Sequence, residues 1–341
     1  MKSIQRMGDT LCFTCPPSLA EFAAVGGKKE SEGPLAAQFD LLFSENTMGE
    51  ESWEAAERSL QRHCLDLMMK KAGLDQEQLH LILGGDLQNQ CTATAYTMRQ
   101  VQVPFAGLYG ACSTMAQAVA LAACLAAGGA ADRVAALTSS HFCAAERQFR
   151  TPLNYGGKRT PTAQWTATAA GCCLVQSQGP APYVQAVTFG RVVDYQITDI
   201  NNMGAAMAPA AASTLLHYCA DTGRSLNQFD AVYTGDLGLV GSRLLVELLK
   251  KEGIELKNHQ DCGLLLYDRS VQQVQAGASG AGCSASVLCG HVLPQLRSGK
   301  LNRVLFLSTG ALMSQIVFLQ GESIPGIAHL LDLSSQGGVQ P

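Results

Sequence analysis

The 341-residue sequence has few charges and no block of basic residues. It contains 24 lysines and arginines against 28 aspartates and glutamates, which gives a formal net charge of −4, and only 15% of its residues are charged. A protein that neutralises a row of phosphates needs clustered lysines and arginines. We therefore expect no nucleic acid among its partners.

The sequence also lacks a long uninterrupted apolar run. The N-terminus MKSIQRMGDTLCF has no apolar core like that of a signal peptide, so no export is expected. The two most apolar stretches, 115–131 and 304–319, are interrupted by glycine and polar residues, whereas a membrane-spanning helix needs ~20 apolar residues. Any membrane association is therefore expected to be peripheral.

Regular cysteine and histidine spacing is absent as well. Thirteen cysteines are scattered along the chain, and the one tight pair, Cys172 and Cys173, is adjacent, which suits neither a disulfide framework nor a zinc site. The seven histidines have no partners at metal-ligand spacing. We predict a reducing compartment, no metal site and no cofactor.

What the sequence does contain is a repeated strand and loop. The apolar run LHLILGG at 79–85 is followed by Asp86, and FDAVYTG at 229–235 is followed by Asp236. Further along, residues 110–140 align without gaps with residues 280–310. The chain is therefore predicted to hold two copies of one unit, at residues 1–190 and 191–341.

Each copy alternates strand, loop and helix, which predicts an α/β fold with a mostly parallel sheet between helical layers. Functional loops of such sheets gather at the carboxyl ends of the strands. If an internal twofold relates the copies, the loops at Asp86 and Cys112 face those at Asp236 and 280–284 across a shared cleft.

Cys112 lies between a predicted strand over 103–109 and a predicted helix over 113–127. At a helix N-terminus the partial positive charge stabilises a thiolate and lowers the thiol pKa, and free backbone N–H groups favour an anion. Two interpretations stay open. Cys112 is either a reactive nucleophile or a small buried residue in a cysteine-rich chain.

These features resemble the thiolase-like superfamily, in which two βα halves pack as a five-layer αβαβα sandwich and a nucleophilic cysteine begins a buried helix of the first half. Longer segments narrow the resemblance to the family of stage V sporulation protein AD. They include PFAGLYGACSTM at 104–115, SSHFCAAERQFRTPLNYGGKRTPTAQWT at 139–166, NMGAAMAPAA at 202–211 and GESIPGIAH at 321–329.

The resemblance implies a non-catalytic branch that binds dipicolinic acid, with or without calcium, during its uptake into the developing spore. It further implies other stage V sporulation A membrane proteins as partners and a homodimer. The implied location is the forespore cytoplasm, with peripheral association at the spore inner membrane.

The resemblance also identifies the positions where catalytic residues would lie. Claisen chemistry on this fold needs a cysteine thiolate and a histidine, or a His/Asn pair, from the second half. The thiolase histidine falls on Val274, and the ketoacyl-synthase histidine falls in the segment TGD that ends in Asp236. We therefore predict no catalytic residue. The alternatives are an acyltransferase with Cys112 as acyl carrier and a ligand-free assembly subunit.

A planar aromatic dicarboxylate needs guanidinium donors, a ring to stack on and backbone N–H groups. Segment 139–166 and the turn at Cys112 could supply them. The candidate ligand-binding residues are Cys112, Asp86, His141, Arg147, Arg150, Tyr155, Gln164, Trp165, Asp236 and Ser284. The competing interpretation is that Arg147 pairs on the surface with Glu146 or Glu21.

Overall fold

The computed structural model describes residues 3–150 and 159–338, and ten of its strands form two sets of five. The first set contains β1 (Ser18–Gly26), β2 (Leu81–Gly85), β3 (Phe105–Gly107), β4 (Val134–Ser140) and β5 (Ala169–Gln176). The second set contains β6 (Tyr183–Thr188), β7 (Ala231–Thr234), β8 (His259–Asp261), β9 (Arg303–Ala311) and β10 (Gly326–Ser334).

The two sets have the same topology. Their strand orders are β1-β5-β4-β2-β3 and β6-β10-β9-β7-β8. Counted along the chain, the second strand of each set, β2 or β7, is parallel to both of its neighbours. The fifth strand, β5 or β10, is antiparallel to the first and the fourth. The repeats ILGGDL and VYTGDL fall on the second strands, so the predicted duplication is confirmed.

The sheets are mixed, however, and not mostly parallel as the sequence suggested. A parallel neighbour requires a crossover connection, whereas the fifth strand of each set runs back beside the fourth in the opposite direction and needs no crossover. The chain passes from one set to the other between Gln176 and Tyr183. The division into residues 1–190 and 191–341 stays a prediction.

Eight helices build the layers around these sheets or line the gap between them. They are α1 (Trp53–Ala72), α2 (Thr92–Val101), α3 (Thr114–Ala127), α4 (Phe142–Phe149), α5 (Met203–Thr222), α6 (Gly238–Lys251), α7 (Ala281–Val287) and α8 (Gln315–Leu319). Helix α7 continues through a π turn at Leu288–Val292 into Leu293–Arg297. Two further short helices occupy Lys28–Ser31 and Cys262–Leu266.

The helices and sheets stack in five layers. Helices α1 and α2 cover the outer face of the first set, and α5 and α6 cover that of the second. Helices α3 and α7 lie between the two sheets in the largest buried apolar cluster, where alanines such as Ala116 and Ala285 allow close packing. This is the αβαβα sandwich that the sequence predicted.

Local signals explain the ends of the two longest helices. Helix α1 begins after Ser52, whose hydroxyl oxygen accepts a hydrogen bond from the Ala55 amide at 3.2 Å. Helices α1 and α5 both end at a left-handed glycine, Gly73 and Gly223. Within the described ranges 3–150 and 159–338, no helix has the length and apolarity needed to cross a bilayer.

The turn that carries Cys112 differs in detail from the prediction. The strand expected over 103–109 is limited to β3, and α3 begins at Thr114 after a 3-10 turn at Ala111–Ser113. Ala111 has a φ of 51°, a left-handed conformation that is strained for a residue with a side chain. Strand β9 passes close to this turn, because a Cβ on Gly310 would lie only 2.8 Å from the Gly110 carbonyl oxygen.

Candidate functional site

A cavity of about 340 Å³ lies where the carboxyl ends of strands from both halves meet. The first half contributes Cys112 and loop residues after β2 and β3, and the second half contributes Asp236, Gly280 and the end of β9. The cleft between loops of the two halves that the sequence predicted is therefore present.

The carboxyl group of Asp236 lies beside the thiol of Cys112 and acts on it electrostatically. Although part of Cys112 borders the cavity, the thiol itself is buried, and burial together with the neighbouring carboxylate raises its pKa well above the usual range. The expectation of a lowered thiol pKa is therefore wrong. Desolvation and a nearby negative charge outweigh the partial charge of the helix N-terminus.

Asp236 is completely buried at the base of the cavity. Its Oδ2 accepts a hydrogen bond from the Gly280 amide at 2.9 Å, and its Oδ1 accepts one from the Thr309 hydroxyl at 2.8 Å. Burial raises the pKa of Asp236 to about 7, against the lowering effect of these bonds and of the Cys112 thiol, and Asp261 adds to the rise. The carboxyl group is therefore poised to change its charge near neutral pH.

Gln164 fixes the backbone around Asp236. Its Nε2 donates to the carbonyl oxygens of Asp236 at 2.7 Å and of Ala278 at 2.9 Å. The adjoining strand Trp165–Thr166 pairs with Ala278–Ser279 and so joins the two halves. Gln164 thus acts as a positioning residue for the base of the cavity.

Ser284 supports the other side of the same centre. It lies in α7, and its hydroxyl is 3.4 Å from the backbone carbonyl oxygen of Cys112 and 3.3 Å from that of Ala281. Four of the ten predicted residues, Cys112, Gln164, Asp236 and Ser284, are therefore brought together.

Asp86 occupies the position in the first half that Asp236 occupies in the second, yet it does not border the cavity. Its carboxylate accepts hydrogen bonds from the Gln88 amide at 2.8 Å and from the amide and hydroxyl of Thr94 at 2.8 and 2.6 Å. It thereby anchors the loop that carries Leu87 and Asn89, which do line the cavity.

The predicted arginines already have carboxylate partners. Arg147 forms an ion pair with Glu54 at the surface, which is neither of the partners that the sequence suggested. Arg150 and Arg159 both pair with the buried Glu146, and Nη1 of Arg150 also donates to the Asn201 side chain at 2.9 Å. Neither Arg147 nor Arg150 is part of the cavity wall.

The predicted rings also lie outside the wall. His141 is buried, with Nε2 2.8 Å from the Asn46 carbonyl oxygen and its ring stacked on Trp53. Trp165 stacks on Phe142 with ring centroids 4.2 Å apart and lies under the Lys29 ammonium group. Tyr155 lies outside the described residues.

Sequence reasoning missed most of the apolar wall. Tyr109, Phe149, Met203, Met207 and Val317 line the cavity. Met203 and Met207 lie four residues apart on one face of α5, and that spacing in NMGAAMAPAA was the available signal. Among the residues that the structure describes, no group of three or more His, Cys, Asp or Glu side chains could hold a metal ion.

Comparisons with known proteins agree with this architecture. Among solved structures, 3-oxoacyl-[acyl-carrier-protein] synthase III from Aquifex aeolicus VF5 matches with a TM-score of 0.58 over 94% of this chain and 99% of that chain, at 11% identity. A variant of OleA from Xanthomonas campestris with bound lauric acid and lauroyl-CoA matches with a TM-score of 0.59 over 94% and 100%, also at 11% identity. At such identity the likeness shows the fold alone, and the thiolase-like fold is confirmed.

Sequence similarity is far closer to a different group. The family model described as stage V sporulation protein AD matches residues 8–334. Stage V sporulation protein AD from Bacillus subtilis strain 168 is 42% identical over 330 residues, which are 96% of this chain and 97% of that protein. Both matches span nearly the whole chain, and the chain belongs to the stage V sporulation protein AD family.

Proposed function

We propose that this member of the stage V sporulation protein AD family binds dipicolinate, the pyridine-2,6-dicarboxylate ion. The ligand occupies the cavity lined by Cys112 and Asp236, called here the Cys112 cavity, and no reaction is catalysed there. The observation that carries the proposal is the position of the Asp236 carboxyl group beside the Cys112 thiol in the wall of this cavity. A neighbouring carboxylate keeps the thiol protonated, whereas a nucleophilic cysteine needs a lowered pKa. In the part of the chain that the structure describes, no histidine lines the cavity.

The size and lining of the cavity suit a small aromatic ligand. Its volume of about 340 Å³ falls in the usual range of ~300–1,000 Å³ for ligand pockets, which are mostly apolar with a few polar groups. The rings of Tyr109 and Phe149 offer faces for stacking, and the thioethers of Met203 and Met207 can follow the shape of a ring.

The N-terminus of α5 supports an anionic ligand. Met203, its first residue, borders the cavity, and the preceding Asn202 gives the first turn no side-chain cap. Uncapped amides and the partial positive charge of a 20-residue helix favour a carboxylate at this end. Arg150 lies beside Met203 and Ser279, just behind the wall.

Family membership supports the wider setting. We propose that the protein works in the forespore, at the inner membrane as a peripheral component, and passes dipicolinate to membrane proteins of the same sporulation system. The support for this part is the resemblance to the family.

Titration calorimetry tests the proposal. Ala311 lines the cavity, so Ala311→Leu should fill part of it and weaken dipicolinate binding at least about tenfold, or ~1.4 kcal/mol. Ala130→Leu at an exposed turn is the matched control and should bind like wild type. Equal affinity of all three proteins would place the ligand elsewhere. Titrations with and without calcium reveal whether the cation accompanies the ligand.

One observation favours the alternative, an acyltransferase with Cys112 as acyl carrier. Asp236, whose pKa is about 7, lies beside the thiol and could take up its proton. Incubation with acetyl-CoA or malonyl-CoA distinguishes the two functions. A covalent acyl group on the peptide that contains Cys112 would support the enzyme, and an unmodified peptide supports the binding protein.

A further inference from the structure

A dicarboxylate that enters the Cys112 cavity meets a carboxyl group at its base. Asp236 faces the cavity, and among the described residues no lysine, arginine or histidine lines the wall. An ionised Asp236 would repel an anionic ligand at short range in a buried site. The proposed ligand and the geometry of the cavity are therefore compatible only if the charge of Asp236 is removed.

The elements packed around Asp236 do not neutralise it with a positive charge. Cys112 faces it from the turn before α3, and Cys283 faces it from α7. Asp261 lies at the end of β8, and Cys262 begins the short helix that follows. On the side of Gln164 and Ser279 lie the guanidinium groups of Arg150 and Arg159, which both pair with the buried carboxylate of Glu146. Asp236 is surrounded by three thiols and a second carboxyl group, and the two arginines beyond them share the carboxylate of Glu146.

We propose that the cavity takes up its carboxylate ligand together with one proton, which resides on Asp236 at the base of the cavity, beneath the bound carboxylate. The identity of the ligand rests on the function proposed above. The proton comes from solvent, no covalent bond changes, and the pair carries one negative charge less than two separate carboxylates.

Two properties of the site support this coupling. The pKa of Asp236 is already about 7 without a ligand, because burial disfavours its charged form. A ligand carboxylate next to it raises that pKa further, as for any two carboxyl groups that share a site. In addition, the Gly280 amide and the Thr309 hydroxyl hold one carboxyl oxygen each, so the group is fixed in place at the base of the cavity.

The coupling has a definite pH dependence. Below about pH 7 Asp236 is largely protonated before the ligand arrives, so affinity changes little. Above about pH 7 each binding event must draw a proton from solvent, and affinity falls about tenfold for each pH unit. In Asp236→Asn the amide is uncharged throughout this range and needs no proton, so the affinity of this variant should not change with pH.

Calorimetry between about pH 5.5 and about pH 8.5, in buffers of different ionisation enthalpy, measures both affinity and proton uptake for dipicolinate. Wild type and the control Asp66→Asn, on the surface of α1, should take up close to one proton in the alkaline part of the range. Asp236→Asn should take up none. Wild-type binding with unchanged affinity and no proton uptake across the range would overturn the coupling and leave the proposed ligand standing.

A second readout does not use dipicolinate. Cys112 is alkylated with anionic iodoacetate or with neutral iodoacetamide, and mass spectrometry of the peptide that contains Cys112 gives the rate of each reaction. Both reagents react with the thiolate, so the ratio of the iodoacetate rate to the iodoacetamide rate does not depend on the ionised fraction of Cys112. In wild type this ratio should fall severalfold as the pH rises through about 7, and in Asp236→Asn it should stay constant. A falling ratio without dipicolinate binding at any pH would refute the proposed ligand and support proton-coupled entry of anions. A constant ratio in wild type would refute the coupling.

Discussion

Glu57 provides the sharpest stability prediction in this protein. It lies on α1 and is completely buried. Its carboxyl oxygens accept hydrogen bonds from the Gln88 side chain at 2.7 Å and the Ser139 hydroxyl at 2.8 Å. Burial first, and then the nearby charge of Asp86, raise the pKa of Glu57 from 4.5 to about 8.

A carboxyl group whose pKa is higher in the folded state binds its proton more tightly there. Its contribution to stability is therefore fully present below about pH 4.5 and is lost as the pH rises through about 8. Within that window the free energy of unfolding should fall by up to ~1.4 kcal/mol per pH unit. Glu57→Gln mimics the protonated group, so it should remove this part of the pH dependence and stabilise the protein at alkaline pH.

Urea unfolding of wild type, Glu57→Gln and the exposed control Glu247→Gln at a series of pH values measures the effect. Wild type and Glu247→Gln should share the steep decline toward alkaline pH. Glu57→Gln should decline less steeply and be the most stable of the three near pH 8. Parallel curves for all three proteins would refute the assignment of this proton to Glu57.

Other measurements test the charge pairs and the assembly. Glu146→Ala leaves Arg150 and Arg159 without their buried partner, so it should lower the free energy of unfolding by roughly 3–5 kcal/mol in urea titrations. Arg147→Ala removes only an exposed pair with Glu54 and should change that free energy by less than about 1 kcal/mol. The homodimer implied by the family resemblance should appear in sedimentation experiments at micromolar concentration, and a monomer there would contradict it.

Much of the fold could be predicted because the chain repeats itself. The recurrence of ILGGDL as VYTGDL marks the same strand in both halves, and the facing strand ends of the two halves place Cys112 near Asp236. Such reasoning needs only local pattern and general topology. This reasoning correctly predicted the features that depend only on local pattern and general topology.

The remaining features of the site depend on contacts between residues far apart in the sequence. Asp86 and Asp236 share the local sequence Gly-Asp-Leu, but Asp86 accepts hydrogen bonds from the nearby Thr94, whereas Asp236 bonds to Thr309, 73 residues away. Likewise, the pKa of the Cys112 thiol is raised and not lowered as expected, because Asp236 from the other half of the chain lies beside the thiol. The residues next to Asp236 in sequence do not predict its bond to Thr309, and those next to Cys112 do not predict the effect of Asp236 on the thiol.

The wall of the Cys112 cavity is collected from residues between Leu87 and Val317. During synthesis the last of these leaves the ribosome only when nearly the whole chain has been made, so a nascent or truncated chain cannot present a complete pocket. A small molecule that binds only there stabilises the finished protein and no earlier species. Such a ligand would therefore act as a chemical chaperone, shifting the balance between folding and degradation in proportion to its own concentration.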